Sequence, residues 1–458
     1  MVLNPRRHIC LVLLMVLLAF VYSFSLSAIS NDQDNFELAV DQARTRQEGA
    51  WRDRNDHASL GTERLAVVCH FNRGPGLGNA IHGLVSCILF AMLTKRELYL
   101  DWPAYEGFTF SPNDPEGALS MPPWHELLTL RPRGSVLPWR AWDAGDSWIA
   151  SRPASSTLTL TMEDPQALAR LATENVHAWA KAHPIVELRG LHQSFTPIFI
   201  LNPHTCKTMR GWFPNGGAFR ALWAAFLLPS ELVSTLVTSE LRRLDFNGRH
   251  GGTLGVHLRT TALNINHADT TWEAQQLRLN CSASVASAST LRAKGRPRIF
   301  LAADSEVAKT RAATYLKSLG LDVITSVPLT HDALAAQSAG SGQSFGNRYW
   351  ALVDILLLSG CDGLVAHDRS TFSSTAAGIG GIRSYMTDCK MQPAEGPCAH
   401  SMAKVLRLVS SHKVLRKRFE AIGSGRAKLP RAQIEELRAQ VICNQCTGKG
   451  ALSGNCDK

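Results

Sequence analysis

The fold is decided by residues 65–101, which read LAVVCHFNRGPGLGNAIHGLVSCILFAMLTKRELYLD. Their first seven residues form an apolar run that predicts a buried strand. A glycine-rich loop follows, and from Ala80 to Thr94 apolar residues recur at three- and four-residue spacing. This spacing predicts an amphipathic helix with Asn79 as its N-cap. A second strand is predicted at 97–101, and the resulting βαβ unit implies a parallel sheet with a right-handed crossover.

A second α/β series is predicted after a glycine-rich hinge at 248–252. Its strands are expected at 253–258, 298–303, 322–325 and 363–366, and its helices at 306–319 and 349–358. Small residues dominate 282–295 and 335–346, where loops are expected. Two such series predict an α/β protein with two facing Rossmann-like domains and a cleft between them.

The first thirty residues predict entry into the secretory pathway. Arg6 and Arg7 precede an uncharged run from Ile9 to Ile29, and about 20 apolar residues suffice to cross a bilayer. The flanking arginines predict a type II membrane anchor with a lumenal body. The alternative is a cleaved signal peptide ending near Ser27, which would make the body a secreted protein.

Composition limits the class of protein and its partners. The chain has 458 residues, of which 45% are hydrophobic and 19% are charged, so it can bury large cores. The formal net charge of +10 suits phosphorylated small molecules, anionic lipid or nucleic acid. We expect no nucleic-acid partner, because the basic residues are dispersed and the predicted compartment holds none.

Eleven cysteines are present, and ten of them follow the apolar run. An even number in an oxidising lumen permits disulfides without fixing their pairing. Cys443, Cys446 and Cys456 cluster near the C-terminus, but three thiolates leave a tetrahedral zinc site one ligand short. Disulfides are the favoured interpretation.

Polar residues follow the predicted strands of the second series. They are His257 to Arg259, Asp304 with Ser305, and the stretch HDRST at 367–371. Ligands of open α/β sheets bind beyond the carboxyl ends of the strands, and an arginine such as Arg259 matches a phosphate well. The segment STFSS at 370–374 is predicted to introduce a small-residue helix at 375–379, whose N-terminus would hold a phosphate.

Other phosphate-binding motifs are missing from the two predicted domains. The sequence contains no P-loop, and its single D-x-D stretch, Asp32 to Asp34, lies in the predicted stem, so we predict a diphosphate site that works without a metal. The glycine loop at 74–79 is not a dinucleotide fingerprint, because Asn79 replaces the third glycine. An anion or a substrate at this helix N-terminus remains a reasonable expectation.

These segments resemble the GDP-fucose-dependent fucosyltransferase superfamily, which includes α1,2-, α1,6- and protein O-fucosyltransferases and the plant xyloglucan enzymes. The resemblance rests on GLGN at 76–79, LTKRELYLD at 93–101, GVHLR at 255–259, FLAADS at 300–305, DILLLSGCD at 354–362 and STFSS at 370–374. It implies a GT-B fold, GDP-fucose as the donor substrate, no metal cofactor, inversion to an α-L-fucoside and a Golgi membrane location.

The resemblance also implies which residues bind the donor. His257 would contact the guanine or ribose, Asp354 would lie near the guanine, and Arg259 would bind the β-phosphate. The full donor set is Gly76, Gly78, Asn79, His257, Arg259, Asp304, Asp354, Ser370, Thr371, Phe372, Ser373 and Ser374. Arg259 is also the expected catalytic group that stabilises the departing GDP.

The catalytic base stays open. The second basic residue of the family motif is Thr260 here, and the acidic position used by the α1,6 group is occupied by His267, with Asp269 beyond it. Asp269 or His267 is a candidate general base, and a dissociative mechanism without a protein base is the alternative.

On this interpretation the chain has five parts and binds a nucleotide sugar, a glycan or glycoprotein acceptor, and a membrane. The parts are a tail and anchor at 1–30, a stem at 31–62, an acceptor-side Rossmann-like domain at 63–247, a nucleotide-sugar-binding domain at 248–390, and a helical C-terminal extension at 391–458. Two alternatives remain: a transferase of another nucleotide sugar, and a catalytically silent, membrane-anchored glycan-binding module.

Overall fold

The computed structural model describes the central part of the chain. The described residues are 64–71, 76–102, 105–108, 119–121, 123–130, 139–141, 147–151, 153–191, 196–213, 217–246, 252–258, 272–287, 298–303, 306–326, 345–366, 370–385, 391–392 and 417. The predicted anchor and stem, most of the hinge and nearly all of the C-terminal extension lie outside them.

The described residues form fifteen strands and thirteen α-helices. The strands are β1 Ala66–His70, β2 Glu97–Asp101, β3 Tyr105–Phe108, β4 Leu119–Met121, β5 Leu128–Leu130, β6 Trp139–Ala141, β7 Thr157–Thr161, β8 Ile185–Arg189, β9 Leu227–Pro229, β10 Thr253–Leu258, β11 Arg298–Ala303, β12 Asp322–Ile324, β13 Gly363–Val365, β14 Arg383–Tyr385 and β15 Met391–Gln392. The helices are α1 Leu77–Thr94, α2 Trp124–Leu127, α3 Ser147–Ala150, α4 Pro165–Thr173, α5 Trp179–Ala182, α6 Thr196–Leu201, α7 Cys206–Trp212, α8 Ala218–Phe226, α9 Glu231–Arg243, α10 Trp272–Ser287, α11 Glu306–Ser318, α12 Phe345–Ser359 and α13 Thr371–Gly380.

The first sheet has five parallel strands in the order β6-β2-β1-β8-β7. Helix α1 connects β1 to β2, as the βαβ pattern predicts. It is the one described helix that is long and apolar enough to cross a membrane, yet 89% of that stretch is buried inside the protein. Helix α1 is therefore a core helix of this sheet.

The second sheet has six strands in the order β12-β11-β10-β13-β14-β15. All neighbours are parallel except β14 and β15, which pair antiparallel. In chain order this is 3-2-1-4-5-6, the strand order of dinucleotide-binding Rossmann domains. All residues of β10 and β13 are buried, which explains why these two strands appear in the sequence as short continuous apolar runs.

Helices link the two sheets. Helix α13, which follows β13 of the second sheet, packs on α1 and α8, and α9 packs on α12. The Tyr349 hydroxyl on α12 donates a hydrogen bond to Glu126 Oε2 on α2 at 2.6 Å. Small residues dominate α13, which lets it approach its neighbours closely.

The structure corrects three sequence predictions. Helix α1 begins at Leu77 with Gly76 as N-cap, so Asn79 lies inside the first turn and its N–H donates to the Gly76 carbonyl at 2.9 Å. Helix α13 begins at Thr371 rather than 375. Residues 282–287, expected in a loop, belong to α10. In each case the local side-chain preferences gave way to the packing of the helix on its sheet.

Four of the described cysteines are buried and lie outside any disulfide: Cys69, Cys87, Cys206 and Cys361. Burial raises the pKa of the Cys87 thiol, which also contacts Cys69, and burial together with the charge of Asp362 raises the pKa of Cys361. The thiols of Cys87 and Cys361 therefore stay protonated, and all four cysteines serve as core residues. Cys281 is disulfide-bonded.

Candidate functional site

The candidate site lies at the carboxyl edge of the second sheet, between β10 and β13. Here the chain order of the strands reverses, because β11 lies on one side of β10 and β13 on the other. Ligands of open α/β sheets bind in the crevice outside such a switch point. His257 is the next-to-last residue of β10 and only 4% exposed, so its imidazole lies in the wall of this crevice.

His257 is fixed by two residues of the first turn of α13. Its Nδ1 lies 2.7 Å from Ser373 Oγ. The Phe372 ring stacks on the imidazole, with centroids 4.6 Å apart and planes inclined by 19°. These contacts join the end of β10 to the start of α13, although more than a hundred residues separate them in sequence.

The N-terminus of α13 carries an unused hydroxyl. Ser370 is the N-cap residue, but its side chain makes no capping hydrogen bond, and its buried Oγ has no partner among the described residues. The first N–H groups of any helix lack intrahelical acceptors. No acidic residue lies in the first turn, so nothing there competes with an anion for these donors.

The N-terminus of α1 meets that of α13. A β-carbon placed on Gly78 would lie 2.7 Å from the Thr371 carbonyl carbon and 2.9 Å from the Phe372 nitrogen. The Thr375 hydroxyl lies 3.4 Å from the Gly78 carbonyl. Two helix N-termini, each with a partial positive charge of about half an electron, therefore converge at one place. Neither first turn contains an acid.

Helix α12 supplies two further polar side chains. Asp354, predicted from the resemblance, is 7% exposed. Trp350 precedes it by one helical turn, and the buried indole nitrogen of Trp350 has no hydrogen-bond partner among the described residues. Sequence reasoning did not single out Trp350, because a tryptophan in an apolar helix usually serves as a core residue.

The carboxyl edge of the first sheet holds a second polar cluster. His70 Nδ1, at the end of β1, lies 2.7 Å from Asp101 Oδ2 at the end of β2. His70 Nε2 lies 4.0 Å from Glu187 Oε2 on β8, and Arg189 Nη2 donates to the same oxygen at 2.8 Å. His70 and Glu187 were missed from sequence. The position of His70 at the end of β1 is an available signal, whereas Glu187 lies in the middle of β8.

The structure describes ten of the twelve predicted donor residues. Gly76, Gly78 and Asn79 lie at the start of α1, and His257 and residues 370–373 lie at the switch point. Asp354 lies on the neighbouring helix α12, and Ser374 lies in the same first turn of α13, where its hydroxyl lies 3.2 Å from the Thr371 carbonyl. Arg259, His267, Asp269 and Asp304 lie outside the described residues. Among the residues that the structure describes, no group of three or more His, Cys, Asp and Glu residues could hold a metal ion.

Five tryptophans lie between residues 102 and 148, and for them packing in the core is favoured from sequence over stacking on acceptor sugars. Trp102 is 6% exposed and Trp124 is 5% exposed, so neither ring presents a face to a ligand. Trp148 lies under the Arg64 guanidinium, 4.8 Å from the ring centroid. These three rings are packing residues, as favoured from sequence.

Solved structures show where this fold occurs. The chain is similar to FUT1 of Arabidopsis thaliana, solved as a variant in complex with GDP, with a TM-score of 0.53 and 17% identity over 79% of this chain and 84% of that one. It also matches the fucosyltransferase NodZ from Bradyrhizobium (TM-score 0.41, 16% identity, 72% and 98% covered). A third match is POFUT1 in complex with GDP-fucose (TM-score 0.42, 12% identity, 71% and 98% covered). No protein-family model and no curated protein sequence matches the chain. The first match establishes a fold shared with FUT1.

Proposed function

We propose that the protein transfers L-fucose from GDP-fucose to a glycan or glycoprotein acceptor, with inversion at the fucosyl carbon and without a metal. The observation that carries this proposal is the meeting of two helix N-termini, α1 and α13, at the switch point of a Rossmann-like sheet. Such a place favours a diphosphate. The motif resemblance and the fold shared with a fucosyltransferase that binds GDP support the choice of nucleotide and sugar.

The donor diphosphate would lie against the first turn of α13. Its oxygens would accept hydrogen bonds from the Ser370 hydroxyl and from the first N–H groups of the helix. Arg259 follows β10 directly in sequence, so its guanidinium is expected at the same edge. It would stabilise the negative charge that develops as GDP leaves. In other glycosyl transfers a metal ion supplies the positive charge that Arg259 would supply here, so the proposed mechanism needs no metal ion.

The acceptor would lie on the carboxyl edge of the first sheet. Asp101 is the more exposed of the two carboxylates in that cluster, with 38% of its side chain exposed against 18% for Glu187. Its carboxylate is held by His70 and can accept hydrogen bonds from sugar hydroxyl groups. Asp269 and His267 remain the predicted bases for the acceptor hydroxyl, and a dissociative mechanism without a base remains the alternative.

The proposed setting is the Golgi lumen, with the body tethered by the apolar run 9–29. Cleavage near Ser27 would release the same body as a secreted enzyme. The chemistry proposed for the site is the same in both cases.

The proposal is tested by calorimetric titration of the full-length protein with GDP, UDP and ADP in the presence of a chelator. We expect selective binding of GDP, and a loss of about tenfold or more in affinity for Arg259→Ala, the size of a charge-assisted hydrogen bond. Folded wild-type protein that binds no nucleotide would contradict the transferase and favour a glycan-binding module. Preference for UDP or ADP would indicate another nucleotide sugar.

A further inference from the structure

Trp350 carries a hydrogen-bond donor that the protein itself does not use. Its indole nitrogen is shielded from solvent, and nothing among the described residues accepts its proton. Buried donors are normally satisfied, so an exception calls for an explanation. Tryptophan can only donate through this atom, and a ligand that fits must therefore present an acceptor.

The neighbours of Trp350 indicate what kind of ligand this is. Asp354 lies one turn further along α12, and side chains at this spacing are about 5–6 Å apart. Helix α12 ends at Ser359, just before β13 begins at Gly363, so the first half of α12 lies toward the carboxyl edge of the sheet. Helix α12 also packs along α13, whose N-terminus is the proposed diphosphate site.

An N–H donor and a buried carboxylate, one turn apart, match one base in particular. Guanine presents a carbonyl acceptor, O6, and amino donors along a single edge, whereas adenine presents an amino donor where guanine has O6. A carboxylate only accepts hydrogen bonds when ionised. Trp350 and Asp354 therefore complement guanine. They disfavour adenine, because the Trp350 N–H would face the adenine amino group and two donors would meet.

We propose that Trp350 is a specificity residue of the nucleotide site, whose indole N–H donates a hydrogen bond to O6 of a guanine base while Asp354 accepts from its amino edge. This inference rests on the proposed function, because it identifies the base of the nucleotide bound there. It adds Trp350 as the residue that selects guanine over adenine.

The test is Trp350→Phe in the full-length protein, which keeps an aromatic ring and removes the indole N–H. We expect GDP affinity to fall about fivefold to tenfold, the range of one hydrogen bond. ADP affinity should stay the same or rise, so the preference for GDP over ADP narrows. Thermal stability should be unchanged, because no hydrogen bond within the protein is lost.

The matched control is Trp179→Phe, on α5 before the first sheet's β8. The Trp179 indole donates to Glu174 Oε2 at 2.9 Å, so this substitution removes a hydrogen bond that the protein does use. It should lower thermal stability and leave the affinities for GDP and ADP unchanged. The two variants therefore have opposite expected effects on stability and binding.

Three results would overturn the proposal. Unchanged GDP affinity in Trp350→Phe would refute it while leaving the proposed function intact. Equal weakening of GDP and ADP together with lost stability would show a packing role. Wild-type protein that binds no guanine nucleotide would overturn the proposed function, and this inference with it.

Discussion

Two serines at the start of α13 have different surroundings and should have different roles. Ser373 Oγ lies 2.7 Å from His257 Nδ1, inside the protein. The Ser370 hydroxyl, three residues earlier, is equally buried but has no partner among the described residues. Ser373 therefore stabilises the wall of the site, whereas the Ser370 hydroxyl is available to a ligand.

Ser373→Ala should lower the free energy of unfolding by about 1–2 kcal/mol, because it leaves a buried imidazole nitrogen without this partner. Ser370→Ala should change the free energy of unfolding by less than about 0.5 kcal/mol. It should instead weaken GDP binding about tenfold, the value of one hydrogen bond to a charged group. Denaturant unfolding and calorimetry measure both quantities. A Ser370→Ala protein that loses stability but keeps its GDP affinity would exclude this hydroxyl from the donor site.

At the scale of elements, the close approach of α1 and α13 depends on one glycine of the loop and not on its neighbour. Gly78 has no room for a side chain, because a β-carbon there would lie 2.7 Å from the Thr371 backbone. Gly76 has no atom within 4 Å of such a β-carbon. Its φ of −62° is open to any residue. The resemblance marks both glycines, and only the structure tells them apart.

Gly78→Ala should therefore separate the two helices. We expect a loss of about 2 kcal/mol in unfolding free energy, typical of overpacking against backbone, together with weaker GDP binding. Gly76→Ala is the control and should stay within about 0.5 kcal/mol of the wild type. Denaturant unfolding of both variants without nucleotide measures the difference. Equal stability of the two variants would contradict the close contact between the helices.

The elements show what could be predicted from sequence and what could not. Strands β10 and β11 were predicted at their observed bounds, because short apolar runs between loop residues leave few alternatives. The start of α1 was placed too late, since Asn79 is a common N-cap residue while Gly76 offers no side chain to recognise. Strand β6, in a region rich in proline and tryptophan, was missed, because its place beside β2 depends on tertiary pairing.

The site divides in the same way. His257 and the 370–374 segment were found from sequence because strand ends and a hydroxyl-rich helix start leave a local pattern. The roles assigned to them remain predictions. Trp350 leaves no such pattern: nothing in the sequence shows that its N–H is buried without an acceptor. Likewise, His70 and Glu187 come together only through the pairing of β1 with β8.

At the scale of the whole molecule, the two sheets contribute to one site through helices of both. The start of α1 belongs to the βαβ unit of the first sheet, and the start of α13 follows β13 of the second. Gly78 and Thr371 bring these two segments into contact. A diphosphate bound at this contact would therefore engage the N–H groups of both helices.

Hydrogen exchange of the full-length protein measures this directly. The first N–H groups of a helix have no intrahelical acceptor, so saturating GDP should slow exchange at 76–78 and at 371–373 together. Hydrogen exchange at the amino edges of both sheets should slow only by the general stabilisation that any ligand gives, about 2.7 kcal/mol at a hundred times its Kd. The backbone around Arg96, whose guanidinium binds the carbonyls of Ala66 and Pro184, lies at such an edge. Protection confined to 371–373 would place the nucleotide on the second sheet alone. It would also show that the N-terminus of α1 does not contribute to donor binding.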